Sequence, residues 1–224
     1  MADRQTRLVD LSHVIEPGMT TYKGLPGPAI GDYWSREASA AMYDDGASFH
    51  IGRIDMVANC GTYIDAPFHR YAVGVDIAGL ELEQIAGLEG IVIRVPWAER
   101  LAVEGRDILG CDVRGKAVLI HTGWDEHWRT DAYFQNHSYL TGEAARFLLQ
   151  GGAKLVGIDS HNIDDTRGRS RPVHSMLLGS GVVICEHLTN LGALPETGFA
   201  FSAVPAKFTG LGSFPVRAFA EVPG

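Results

Sequence analysis

Residues 59–69 read Asn59-Cys60-Gly61-Thr62-Tyr63-Ile64-Asp65-Ala66-Pro67-Phe68-His69. The apolar run before them, residues 49–58, reads as a buried strand that ends at Cys60 and Gly61. Glycine at 61 permits a tight turn or a close backbone approach. Asp65 and His69 then fall on a loop stiffened by Pro67, and loops on a rigid scaffold are where reactive side chains tend to sit. Facing one cleft, an Asp and a His can share a metal ion or pass a proton. Spacing alone leaves a second reading open, because Asp and His beside proline are also ordinary turn formers.

Outward from this stretch, short apolar runs alternate with turn signals. Residues 8–11, 90–95, 117–122, 155–158, 181–185, 199–204 and 214–219 read as strands. Pro17 to Pro28 carries six Gly and Pro positions and reads as a long irregular loop. Residues 82–85 form a short helix closed by Gly87. Thr141 is a candidate N-cap for a helix carrying Ala144, Ala145, Leu148 and Leu149, stopped by Gly151 and Gly152. Residues 173–178 are an apolar helical turn with Pro172 at the start, where a helix accepts proline. The pattern is mixed α and β over residues 1–224 with no composition break, which predicts a single domain.

A second polar cluster lies between the late strands. It runs through Asp159, His161, Asp164 and Asp165 to Arg171-Pro172-Val173-His174, and then to Glu186 at the end of an apolar strand. A carboxylate there is costly to bury unless it is paired or metal-bound. Each of these residues alone reads as structural.

Together the two segments resemble the cyclase family of metal-dependent hydrolases, which includes kynurenine formamidase and isatin hydrolase. The resemblance covers nearly the whole chain, from Leu11-Ser12 through Gly61-Thr62-x-x-Asp65-Ala66-Pro67-x-His69 to His174-x-x-Leu177-Leu178-Gly179 and the Glu186 strand. It implies an α/β fold, a single compact domain with a central mixed β-barrel-like sheet flanked by helices. It also implies that Asp65, His174 and Glu186 are metal ligands and that His69 transfers protons. The family motif carries two further histidines, where this chain has Asn59 and Tyr63. One divalent metal, zinc or manganese, is therefore expected instead of two. The implied chemistry is hydrolysis of a small amide, formamide, cyclic imide or lactone by water activated on that ion.

Tyr63 is expected either to hydrogen-bond the substrate oxygen as a catalytic group or to pack as a core aromatic. Trp124, in the aromatic-rich stretch after residue 121, either lines the substrate cavity or belongs to the core. Arg167 either clamps a substrate carboxylate or sits on a solvated loop. Asp159 and His161 are expected to orient a ligand or to form a plain turn. Other activities compatible with the same residues are cyclisation or dehydration of a polyketide-like compound, and binding without catalysis.

A net charge of −8 disfavours phosphate backbones, so nucleic acid is excluded as a partner. No apolar run is long enough to cross a bilayer, which excludes membrane insertion. Cys60, Cys111 and Cys185 are an odd, widely spaced set and predict free thiols in a reducing, cytoplasmic compartment. The resemblance implies a small-molecule substrate and a homo-oligomer, a dimer or tetramer.

Overall fold

The structure is a computed structural model that describes residues 6–224. Its strands are β1 (Thr6–Asp10), β2 (Ala29–Trp34), β3 (Ile51–Asp55), β4 (Tyr63–Asp65), β5 (Leu88–Arg94), β6 (Ala102–Val103) and β7 (Ala117–His121). They continue with β8 (Tyr139–Leu140), β9 (Leu155–Ile158), β10 (Val183–Glu186), β11 (Phe199–Ser202), β12 (Ser213–Pro215) and β13 (Phe219–Pro223). The α-helices are α1 (Arg36–Ala40), α2 (Gly105–Ile108), α3 (Gly142–Gly151) and α4 (Pro172–Gly179).

Nine strands form one mixed sheet in the order β1-β13-β11-β5-β7-β9-β10-β4-β12. Neighbours from β5 to β10 run parallel, and the pairs outside them run antiparallel. The sheet curls into a half-barrel with helices on one face, as the expected α/β fold requires. Parallel strands are covered on both faces, so they read as continuous apolar runs rather than alternating ones. In β7 the alternation survives only in which core each side chain enters. Ala117 and Leu119 join the cluster with Ile64, Phe201 and Ala220, while Val118 and Ile120 join the one with Leu148, Val173 and Leu177 from α3 and α4. Truncating one of these fully buried leucines costs about 2–5 kcal/mol.

Helix α3 starts and stops where its sequence signals lie. Thr141 Oγ1 accepts from Ala144 N at 3.2 Å, and the Gly152 N–H closes on the carbonyls of Leu148 and Leu149. The strands at 155–158 and 183–186 fall at the expected places, and all three cysteines are free.

Two expectations change. Residues 49–58 are not a buried strand. β3 covers only Ile51–Asp55, is exposed throughout, and pairs with β2 in a separate two-stranded sheet. Apolar composition marked it as extended but could not say that the large sheet was already filled by nine other strands. Residues 214–219 are two strands, not one. Pro215 ends β12 because it has no N–H, and the Val216 N–H turns to Thr62 O before β13 begins.

Candidate metal and acid–base site

β4 sits between β10 and β12 and sets the geometry of the site. In register, Asp65 stands opposite Ile184 and Ser213, and Tyr63 opposite Glu186 and Pro215. Ile64 points into one core and Ile184 into the other. The two-residue period therefore turns Tyr63, Asp65 and Glu186 away from Ile64. Gly61 enters β4 at φ +63°, and a side chain there would meet Ile15 Cγ1 at 2.7 Å. This is the turn and close approach its sequence position suggested.

Asp65 is fully buried. Its Oδ1 accepts from Ser213 Oγ and, at 3.5 Å, from Asn59 Nδ2. Its Oδ2 is buried with no hydrogen-bond partner among the described residues. Across from it, His174 Nε2 lies 3.7 Å from Asp65 Oδ2 and 3.6 Å from Glu186 Oε1. The other His174 nitrogen, Nδ1, bonds Asp164 Oδ2 at 2.7 Å. Asp164 also accepts the Val173 and His174 N–H groups at 2.8 and 3.0 Å, so one carboxylate caps α4 and aims the imidazole. Burial opposes a charge on His174, but Glu186, the Asp164 bond and Asp65 outweigh it and raise the pKa to about 10.

Glu186 is held from two sides. The Ile163 N–H donates to Oε1 at 2.6 Å and the Tyr63 hydroxyl to Oε2 at 2.5 Å. Burial raises its pKa, with Asp65 adding to the rise and His174 opposing it. Tyr63 is also raised well above the ordinary phenol range, by burial first and then by the Glu186 charge, so it keeps its proton. That proton is given to Glu186. A substrate oxygen would have to compete for it.

His69 ends a short 3₁₀ turn, Pro67–His69. Its Nδ1 lies 2.9 Å from Ser213 Oγ and 3.5 Å from Asp65 Oδ1, and its side chain is 35% exposed, enough to reach the solvent side of the site. A cavity of about 260 Å³ opens onto Tyr63, His69, His174, Glu186 and Asn59, with Tyr22 and Asn162 also in its wall. The structure therefore brings together the four residues expected for metal binding and proton transfer, Asp65, His174, Glu186 and His69.

The residues present fit a divalent ion. Asp65, His69 and His174 each offer one ligand atom, all within 4.8 Å of one another. The unpartnered Asp65 Oδ2 faces an imidazole nitrogen whose partner nitrogen is already fixed by a carboxylate, as in metal-binding histidines generally. Three carboxylates, on Asp65, Asp164 and Glu186, surround a single buried imidazole, an imbalance that a cation offsets. Glu186 Oε1 lies next to this group but outside it.

The substrate contacts expected from the sequence lie elsewhere. Trp124 is buried against Trp97 and His127, its Nε1 donates to Tyr133 O, and it is not among the residues that line this cavity. Arg167 is exposed and forked onto Asp165. Asp159 holds the Thr122 hydroxyl and the Thr122 and Gly123 N–H groups instead of orienting a ligand. The His161 carbonyl receives His187 Nε2, and its ring packs on Tyr22. The residue that does orient His174 is Asp164, which the sequence offers only as one of two adjacent aspartates ahead of Pro172. Ser213 carried no signal at all, being one small polar residue beside an apolar run.

The family model described as "Putative cyclase" matches residues 9–165. The chain is 25% identical over 214 residues to the kynurenine formamidase of Erythrobacter litoralis (strain HTCC2594), covering 91% of this chain and 88% of that protein. It is 26% identical to the kynurenine formamidase of Geobacillus thermodenitrificans (strain NG80-2), covering 94% and 95%. Among solved structures it is similar to isatin hydrolase A from Labrenzia aggregata, with TM-score 0.83, 23% identity and 98% and 94% coverage. It is also similar to a structure described as a "Potential Metal-Dependent Hydrolase With Cyclase Activity", with TM-score 0.79, 25% identity and 98% and 100% coverage.

Proposed function

This chain belongs to the cyclase family, and we propose that within it the protein is a metal-dependent hydrolase of a small amide, formamide, cyclic imide or lactone. The observation that carries the reading is the buried Asp65 Oδ2, which among the described residues has no hydrogen bond and only a 3.7 Å ion-pair contact to His174 Nε2. A buried carboxylate oxygen without a donor is costly, and a divalent ion removes that cost. The names of the relatives support the substrate class, a formamide in one case and isatin in the other.

Asp65 and His174 would hold the ion, with Glu186 as third ligand. The bonds from Tyr63 and Ile163 steady that carboxylate and leave it further lone pairs. Asn59 and Tyr63 stand where the family resemblance expects two more histidines, so one ion per chain is the proposed count. When bound, a divalent ion supplies a Lewis acid that polarises a carbonyl and lowers the pKa of water. His69 takes a proton from the attacking water and returns it to the leaving nitrogen or oxygen. Tyr63 keeps Glu186 in place, and the 260 Å³ cavity limits the substrate to a small molecule.

The test is a panel of N-formylanilines, cyclic imides and lactones, incubated with protein that has been stripped by a chelator and reloaded with zinc or manganese. Turnover that needs the metal supports the reading. Protein that binds one equivalent of metal and turns over none of the panel sinks it.

We also propose a homo-oligomer. The β2–β3 ribbon supports this, since it exposes Ile30, Ile51 and Ile54 and a lone two-stranded sheet is marginal in water. A single-chain mass by light scattering would refute it.

A further inference from the structure

We propose that Ser213 is a positioning residue whose hydroxyl fixes the tautomer of His69 and leaves Nε2 as the bare nitrogen on the cavity side. The inference rests on the reading of His69 as the proton carrier.

Ser213 is buried on β12, directly opposite Asp65. Its neighbour Gly212 brings β12 close. The Ala66 N–H donates to Gly212 O at 2.7 Å, and a Cβ on residue 212 would stand 2.5 Å from His69 N and Cα. Ser213 Oγ is thereby placed among three polar groups. It reaches Asp65 Oδ1, it lies 3.2 Å from Asn59 Nδ2, and it lies 2.9 Å from His69 Nδ1.

The proton count then settles the roles. A serine hydroxyl has one proton and two lone pairs. A carboxylate only accepts, so the proton goes to Asp65. The Asn59 amide nitrogen only donates, so it takes one lone pair. His69 Nδ1 meets the remaining lone pair and must carry a hydrogen. A neutral imidazole has one N–H, and with Nδ1 protonated the free lone pair lies on Nε2. Nδ1 is turned inward to Ser213 and Asp65, and the ring lines the cavity, so Nε2 is the nitrogen that meets a substrate or water. Without the hydroxyl the Nδ1 hydrogen is left with Asp65 Oδ1 at 3.5 Å, a longer and weaker acceptor, so the hold on the tautomer and on the ring angle loosens. The same count argues that Ser213 is no nucleophile, since its proton points to Asp65 and away from the imidazole.

The experiment uses the full-length protein labelled with ¹⁵N-histidine. Long-range ¹H–¹⁵N correlation reads the tautomer, and the His69 signals are identified by their loss in His69→Asn. The wild type should show the Nδ1–H form. Ser213→Ala should shift the signals toward a mixture and lower kcat by about 10–100-fold with KM little changed. Ser213→Thr, which keeps the hydroxyl, should restore both. An Nε2–H form in the wild type, a tautomer unmoved by Ser213→Ala, or covalent labelling of Ser213 by a fluorophosphonate each overturns the proposal. A shifted tautomer with unchanged kcat would support the control of the ring by Ser213 and refute the proton-carrier role of His69.

Discussion

Tyr63 and Glu186 face each other across adjacent antiparallel strands, and the phenol donates a 2.5 Å hydrogen bond to the carboxylate. Both side chains are almost wholly buried, so neither can trade this bond for one to water. Removing the hydroxyl should be felt in stability. Tyr63→Phe should cost about 1–3 kcal/mol, the price of a buried acceptor left short of a donor, measured by urea unfolding. An unchanged unfolding free energy would show that the carboxylate finds another donor or is itself protonated.

Metal binding should depend on Asp65 and His174 and not on His69. Asp65→Asn and His174→Ala should each bring metal content after reloading from about one equivalent to none. His69→Ala should keep the metal and lose about 10²–10⁴-fold in turnover. Elemental analysis with activity assays decides. Metal lost from His69→Ala would make His69 the third ligand, a role its place beside Asp65 and His174 also allows.

Asp164 should matter twice. It caps α4 and it fixes the His174 ring. Asp164→Ala should lower stability by about 0.5–2 kcal/mol for the cap and weaken metal affinity about 10–100-fold for the lost orientation. Thermal unfolding and a metal titration separate the two effects. A variant with the stability loss alone would show that the ring is held by packing.

Acid should destabilise the protein through its buried neutral histidines. Burial first, then repulsion by neighbouring cationic groups, lowers His161 to about 3, and burial lowers His13 to about 4. In the unfolded chain such groups titrate near 6.5. Their contribution is fully present above that pH and is lost as the pH falls toward 4 and then 3, because the unfolded state binds the proton more readily. His161→Phe should flatten the fall in urea midpoint between pH 6.5 and 4. A wild-type slope retained in the variant would assign the effect to other groups.

What the sequence made legible by chemical cost was Glu186, a carboxylate at the end of an apolar strand; Asp65, His69 and His174 stood out only through the family resemblance, and the fold does bring the four together. The strands that carry them were visible as β-branched runs. Trp124 and Arg167 were not separable from their structural roles, because an aromatic at a strand end and an arginine on a loop look alike in either use. Ser213 and Asp164 were invisible for another reason. Their importance lies in which atom of a neighbour they bond, and that depends on register between strands and on a loop's return to a helix start. β3 was misjudged because apolar content reports a preference for extension and not the presence of a partner sheet.

The register of β12 against β4 also sets a timetable. Ser213 meets Asp65 across 148 positions of chain, and Tyr63 meets Glu186 across 123. A ribosome must therefore have made the chain through residue 213 before the site can close. Until the segment around residue 213 emerges, Asp65 sits on the open edge of the nascent sheet with neither its serine nor the glycine that admits it. A product cut short before that point can possess every residue of the quoted stretch 59–69 and both later carboxylates and still lack the hydroxyl that orients the base. Messages truncated between the codons for residues 202 and 213 should thus yield chains that collapse around an intact parallel core and do no chemistry.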